Sequence, residues 1–273
     1  MKHMKQLFFV ALAAIFGIQT SQAQEQEIEY GLFNHLGAGL SLGTDGIGLE
    51  VSSTITDFLG VRLGYSFMPG IKYKGNFDFD SSEGFLRKED GSGYYDNVDV
   101  EGKLHMGDLK LLFDLYPSKK SSFRFTVGAY IGKSKLVTAK NTNHFINESY
   151  WGNSGPELGK GIKNYTIVSD KNGVINADLK TNTFKPYLGV GFGRDIPRKS
   201  RLTVSFDFGV QFWGTPSLWT DIDVNMDTRY RKIEKDRILS EQDWVDDFKD
   251  GIDIMEKIIV YPVISLRLNG RIF

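Results

Sequence analysis

Leu32, Leu36, Ala38, Leu40 and Leu42 are apolar, and the positions between them read Phe33, His35, Gly37, Gly39 and Ser41. That period of two predicts a β-strand. The period returns with Ile47, Leu49, Val51 and Ile55, and again with Leu59, Val61, Leu63, Tyr65 and Phe67. A fourth strand is predicted across 100–116, where Leu109, Leu111, Phe113 and Leu115 alternate with Asp108, Lys110, Leu112 and Asp114. A fifth carries Phe123, Phe125, Val127, Ala129 and Ile131, and a sixth Leu188, Val190 and Phe192. The seventh runs Leu202, Val204, Phe206, Phe208, Val210, Phe212; the eighth, near 258–273, sets Ile264, Leu266, Leu268 and Ile272 against Ser265, Arg267, Asn269 and Arg271.

Eight such strands suit a soluble sandwich or a lipocalin-type barrel as well as a membrane barrel, so the other face decides. A soluble barrel turns its polar face to water and fills it with Lys, Glu and Thr. Here that face is mostly Gly, Ser and Tyr with single charges, and glycines beside Tyr130, Tyr187, Arg62, Arg124 and Arg267 leave the gaps that large side chains need in a narrow lumen. The connections sort themselves too. Thr56-Asp57 and residues 117–122 and 195–200 are short, whereas 69–99, 140–183 and 214–257 are long, with Gly43-Thr44-Asp45 the one short turn among the latter set. Short turns at one end and long loops at the other mark a transmembrane barrel. The predicted fold is all-β: an eight-stranded antiparallel up-and-down transmembrane β-barrel with short periplasmic turns and long extracellular loops. The last loop should hold a short helix, because Ser240 with Asp243 forms a capping-box pattern ahead of Trp244, Phe248, Ile252 and Met255 at three- to four-residue spacing. Such a helix would rest on the rim, dock a partner or enter the lipopolysaccharide layer.

Lys2 and Lys5 precede an apolar run over 7–18, and Ser21-Gln22-Ala23 places small residues where a signal peptidase reads. Residues 1–23 are predicted to be a cleaved secretory signal for Sec export, 24–30 a short periplasmic segment and 31–273 the barrel domain. About 12 apolar residues make only about 18 Å of helix, too short for an anchor. The 33 Lys and Arg nearly balance 34 Asp and Glu, so no basic field favours nucleic acid. Mean hydropathy of −0.26 rules out a polytopic helical membrane protein but not a barrel.

The region 31–273 resembles the small eight-stranded outer-membrane proteins of Gram-negative bacteria, the OmpA-barrel, OmpX and OmpW-like group, and the outer-membrane β-barrel domains common in Bacteroidetes. The resemblance is carried by Ser21-Gln22-Ala23-Gln24, by Lys185-Pro186-Tyr187-Leu188-Gly189-Val190-Gly191 and by the terminal Phe273. It implies an outer-membrane location, an assembly signal at Phe273 read by the barrel-assembly machinery, and, through the OmpW-like members, a narrow conduit. Apolar residues at alternate positions back from the last Phe belong to that pattern, whereas Arg271, Asn269 and Arg267 stand there, so Gly270 marks a bulge or Phe273 leaves the strand.

Glu50, Arg62, Lys110, Asp114, Arg124, Asp207 and Arg267 all fall on the predicted lumen face with nearly balanced signs. Buried charges must pair, which predicts an interior salt-bridge network; rings of charge in a selective channel are the alternative. The segment from Asp78 to Glu89 has carboxylates spaced somewhat like a calcium loop, but Gly84 sits one place late for its turn, which leaves a solvated acidic hairpin. Residues 165–180 around Lys171-Asn172-Gly173 predict a second projecting hairpin. Tyr94, Tyr95, Tyr150, Trp151 and Trp244 are candidate loop contacts. His35, His105 and His144 have no serine and acid placed for a triad, so no catalytic, metal or cofactor site is predicted. The expected role is structural or surface interaction through the loops, with a narrow pore second and a lipid-modifying enzyme third. Expected partners are outer-membrane lipid and lipopolysaccharide, the assembly machinery and an unknown extracellular ligand, with the chain a monomer.

Overall fold

The structure, a computed structural model, describes residues 31–78, 86–152, 166–197, 200–224, 227–233, 250 and 252–272. Its strands are β1 (Leu36–Gly43), β2 (Gly46–Thr54), β3 (Leu59–Phe67), β4 (Lys72–Asp78), β5 (Asn97–Leu104), β6 (Gly107–Leu115), β7 (Phe123–Gly132) and β8 (Lys135–Asn141). There follow β9 (Thr166–Ile167), β10 (Asn176–Lys180), β11 (Phe184–Phe192), β12 (Leu202–Phe212), β13 (Ser217–Val224), β14 (Asp227–Lys232) and β15 (Val260–Arg271). A 3-10 turn lies at Glu148–Tyr150, and residues 252–256 are helical.

Eight of these strands close a barrel in the order β1-β15-β12-β11-β7-β6-β3-β2, every neighbouring pair antiparallel. Each barrel strand pairs with the barrel strands before and after it in the chain, and β15 closes on β1, so the barrel is an up-and-down meander. Closure removes every free edge of that sheet. The pleat sends alternate side chains to opposite sides, and in this barrel the apolar set points out. Leu40, Leu49, Leu63, Leu111, Val127, Leu188, Phe208 and Ile264, one from each strand, are 41–65% exposed. The polar set is buried: Arg124 and Asp114 are wholly inaccessible.

The long connections build a second sheet. Its order, β4-β5-β8-β10-β13-β14, with β9 also pairing β13, repeats the order β3-β6-β7-β11-β12 of the barrel strands from which its members continue. Residues 68–71, 105–106, 133–134, 181–183 and 213–216 are the joints, so the wall rises over five of the eight barrel strands. Among the described residues no strand of the upper sheet rises over β15, β1 and β2: the helical residues 252–256 lead into β15, and β1 turns into β2 through Thr44-Asp45. Gly46 follows that turn at φ +97°, and a Cβ there would sit 2.2 Å from the Phe67 carbonyl oxygen, which requires glycine.

Three sequence expectations change in detail. The predicted fourth strand is broken at His105-Met106 into β5 and β6, because His105 N–H bonds Leu136 O in the upper sheet while Met106 accepts from Met68. The second hairpin does form a turn, with Asp170 Oδ1 accepting from Asn172 and Val174 N–H, but its arms pair elsewhere: β9 with β13, β10 with β8 and β13. Gly270 holds register with both Ala38 and Leu202, so it makes no bulge, and β15 ends at Arg271. Residues 1–30, Ser240, Asp243, Trp244, Phe248 and Phe273 lie outside the described residues, as does the middle of the acidic segment, 79–85.

Candidate functional site: a charged barrel interior

All seven lumen candidates face inward, and the geometry joins them. Arg62 on β3 donates to Asp114 on β6 through both Nε and Nη2, the latter at 2.9 Å, and Nη1 reaches Glu50 on β2 at 3.2 Å. Arg124 on β7 bonds Asp207 at 2.6 Å and Asp114 at 3.2 Å. Arg267 on β15 bonds Glu50 at 2.7 Å, and Lys110 lies 3.2 Å from the other Glu50 oxygen. Each guanidinium therefore bridges carboxylates from two or more strands. Thr126 and Ser205 fill gaps, the first donating to Asp114 at 2.6 Å and the second accepting from Arg267 Nε at 3.1 Å.

Further charges stand in the same interior. Asp195 comes from the β11–β12 turn and folds into the barrel, where it accepts from Arg267 at 2.5 Å and from the Tyr116 hydroxyl at 2.8 Å. Asp45 comes from the β1–β2 turn and meets Lys110 at 2.8 Å. Lys185 and Asp108, buried at the opposite end of the barrel from Asp195, pair at 2.7 Å. Turn residues carry no period of two, so alternation cannot reveal Asp45 or Asp195. Lys185 and Asp108 do sit on inward positions and are legible as charges without a named partner.

Glycines make room for this network. A Cβ on Gly191 would come within 2.6 Å of the Arg124 guanidinium carbon, and one on Gly64 within 2.6 Å of Glu50 Cγ. Gly189 and Gly209 flank Tyr187, whose hydroxyl would lie 2.5 Å from a Cβ on either. These glycines let the lumen side chains pack directly against one another.

Next along the axis, Tyr130, Tyr187, Leu112 and Val263 form an apolar layer, the two tyrosine rings 5.3 Å apart. At the upper mouth Met106, Leu136 and Trp213 pack with Met68, Leu104 and Val137, and Trp213 stacks on Tyr261 at 4.4 Å. At the turn end Arg194 covers the Tyr116 ring at 4.4 Å beside a pocket of about 20 Å³, room for about one water. The interior thus runs from a charged half toward the turns through a tyrosine layer to an apolar cap beneath the upper sheet, with the Lys185–Asp108 pair at that upper end.

The loop candidates are separate from this site. Tyr94 is exposed, while Tyr95 donates to Glu89 at 2.8 Å, and burial together with that bond pushes its hydroxyl up to about 12. Glu89 also accepts Glu148 N–H at 2.9 Å, tying residues 86–96 to the 3-10 turn that holds Tyr150. Trp151 donates to Ile146 O and meets His144 edge-on at 4.8 Å. His35 lies just ahead of β1, its Nδ1 2.8 Å from Asn34 Oδ1, and not in the lumen. His105 occupies the β5–β6 joint, where burial and then Lys103, Lys133 and Lys135 hold its pKa below the usual range.

No family model matches the chain, and no curated protein sequence does. Among solved structures the chain is similar to CarO2 of Acinetobacter baumannii, with 19% identity and a TM-score of 0.45 over 87% of this chain and 98% of that one. CarO of the same organism gives 18% and 0.43 over 90% and 99%. A major outer membrane protein from Thermus thermophilus gives 13% and 0.34 over 87% and 98%.

Proposed function

We propose that the chain is an outer-membrane β-barrel with a plugged lumen, acting as a structural or surface-interaction protein through the wall and loops at its extracellular end. The observation that carries this reading is the inversion of the barrel: one apolar residue after another exposed on all eight strands, and charges buried in mutual contact inside. A soluble protein seldom leaves more than several hundred Å² of continuous apolar surface open to water, and this band encircles the barrel. About nine residues per strand at about 3.3 Å each, tilted about 40°, give a band about 23 Å tall, close to the height of an outer-membrane hydrocarbon layer. Aromatic residues gather at both of its borders. Tyr65, Phe67, Phe184 and Phe212 lie toward the upper sheet; Phe58, Phe123, Phe125 and Phe192 lie toward the turns, with Phe123 5.3 Å from Phe192.

Charge and volume together support the plug. A water-filled eight-stranded lumen would need its side chains drawn back to the wall, yet Arg62, Arg124 and Arg267 reach across it to shared carboxylates. The test is the Arg62→Gln/Asp207→Asn pair, refolded into planar bilayers and vesicles. A plug keeps the parent silent and leaves loop-borne binding intact in the variant; a pore conducts in the parent and changes conductance in the variant.

A further inference from the structure

The upper sheet has two unlike faces. Residues directly opposite one another in an antiparallel pair share a face. By that rule Lys72, Lys103, Thr138, Asp178 and Trp219 form one row across five strands, and Lys74, Glu101 and Lys140 form the next. Lys135 stands opposite Lys180 in the row nearest the barrel. The other face carries Val100, Leu104, Val137, Leu179 and Leu218.

The lysine face continues the outside of the barrel. The outward parity of the belt carries from Leu109 to Lys103, from Ile131 to Lys135 and from Phe184 to Lys180, with the intervening Met106 and Thr181 buried, and beyond Lys135 a register shift in β8 brings Thr138 and Lys140 onto the same face. Lys135 and Lys180 lie four residues beyond the last belt residue of their strands, which is about 10 Å above the apolar band. Asp78 and Asp99, on the same face, fall at the distal tip.

This face is built at a cost. Lysines directly opposite each other, as Lys72 with Lys103 and Lys135 with Lys180, repel. Glu101 and Asp178 form one ion pair each, with Lys72 at 3.1 Å and Lys135 at 2.6 Å, and Lys140 and Lys74 also lie in the field of Glu101. Lys74, Lys103, Lys140 and Lys180 form no ion pair among the described residues. Lys180 is nonetheless held in place, its ammonium 4.0 Å from the Trp219 ring centre and 4.3 Å from that of Tyr230. Tyr230 is itself anchored by a 2.5 Å bond to Asp178. The lysines of these rows outnumber Glu101 and Asp178, and for an outward excess of cations just above an apolar belt the phosphates of the lipid beside it are the natural counterion.

We propose that the membrane-proximal lysine face of the upper sheet, centred on Lys103, Lys135 and Lys180 with Trp219 and Tyr230 as its platform, binds the phosphate groups of the outer-leaflet glycolipid, lipid A. This rests on the outer-membrane reading above. The short β1–β2 turn gives the far side of the barrel no such face among the described residues, so bound glycolipid is confined to the β6, β7, β11 and β12 sector.

The experiment uses the full mature chain refolded into phosphatidylcholine vesicles, with added bisphosphorylated lipid A, phosphate-free lipid A or phosphatidylglycerol. Insertion is first read from heat-modifiable gel mobility, and bound lipid is then counted by native mass spectrometry after extraction. Bisphosphorylated lipid A should be retained, and Lys135→Gln/Lys180→Gln should weaken it about 30-fold at low salt, at about 1 kcal/mol per lysine. Lys120→Gln, at the turn end, should change nothing. His105 supplies a second readout in the unmutated chain: its NMR titration should move to higher pH as lipid phosphate neutralises the neighbouring lysines. Equal retention of phosphate-free lipid A or of phosphatidylglycerol, or an unaffected double variant, overturns the glycolipid site alone. Failure to insert into any vesicle overturns the membrane reading beneath it.

Discussion

Arg124 and Asp207 meet at 2.6 Å across a strand that belongs to neither of them. Gly191 of β11 is the register partner of both, Arg124 on β7 and Asp207 on β12, and its missing side chain is the space the ion pair occupies. A Cβ at Gly191 would press to 2.6 Å of the guanidinium carbon. Gly191→Val should therefore displace Arg124 and destabilise the barrel by about 1–3 kcal/mol, as overpacking does. Urea unfolding in vesicles, followed by tryptophan fluorescence, measures it; an unchanged midpoint would contradict the packing described.

Removing the cation should be worse than crowding it. Arg124→Ala leaves Asp114 and Asp207 buried with one fewer partner, and breaking a buried pair from one side costs about 3–5 kcal/mol. The double change Arg124→Leu/Asp207→Leu should cost less than the Arg124→Leu and Asp207→Leu losses added together, because each single change already forfeits this contact, while Asp114 still lacks Arg124 and Arg62 and Arg267 still lack Asp207. A double-mutant cycle on unfolding free energy reads the coupling; additive losses would mean that the pair does not interact.

On the outer face the sign of a substitution reverses. Phe208 lies mid-strand and half exposed, so Phe208→Arg puts a charge where the proposed bilayer is thickest and should cost about 2–4 kcal/mol, with Phe208→Leu nearly neutral. In a soluble protein arginine at a half-exposed site would be tolerated. Refolding yield and unfolding free energy in vesicles distinguish the two settings.

His105 gives a pH dependence of known direction. Its pKa lies below the ordinary 6.5 in the fold because burial and then Lys103, Lys133 and Lys135 disfavour the imidazolium. The unfolded chain thus binds a proton more readily, and the contribution of His105 to stability is lost as pH falls through 6.5 toward the folded value. Lys103→Gln/Lys135→Gln should raise the His105 midpoint in an NMR titration; a lowered midpoint would contradict the lysine field.

Alternation makes the barrel legible because a strand with one face on lipid and one on a lumen must obey it at every step. The seven lumen charges are readable for the same reason, as polar exceptions on glycine-rich faces. Asp195 and Asp45 are not, since they enter the interior from turns, where no periodicity marks direction. The upper sheet reads as loops in the sequence, partly because Pro69-Gly70 separates β4 from the strand it continues. Its faces are also lysine against aliphatic residues, with Gly75 and Gly102 among the latter, a weaker contrast than an exposed apolar belt.

The most direct test of a sealed membrane barrel is single-channel recording of the refolded mature chain in planar bilayers, on samples shown to be inserted by heat-modifiable mobility. An inserted, folded and electrically silent protein is the predicted result, with conductance steps absent until Arg62, Arg124 and Tyr187 are truncated together. Steady discrete openings from the unmodified chain would contradict the plug.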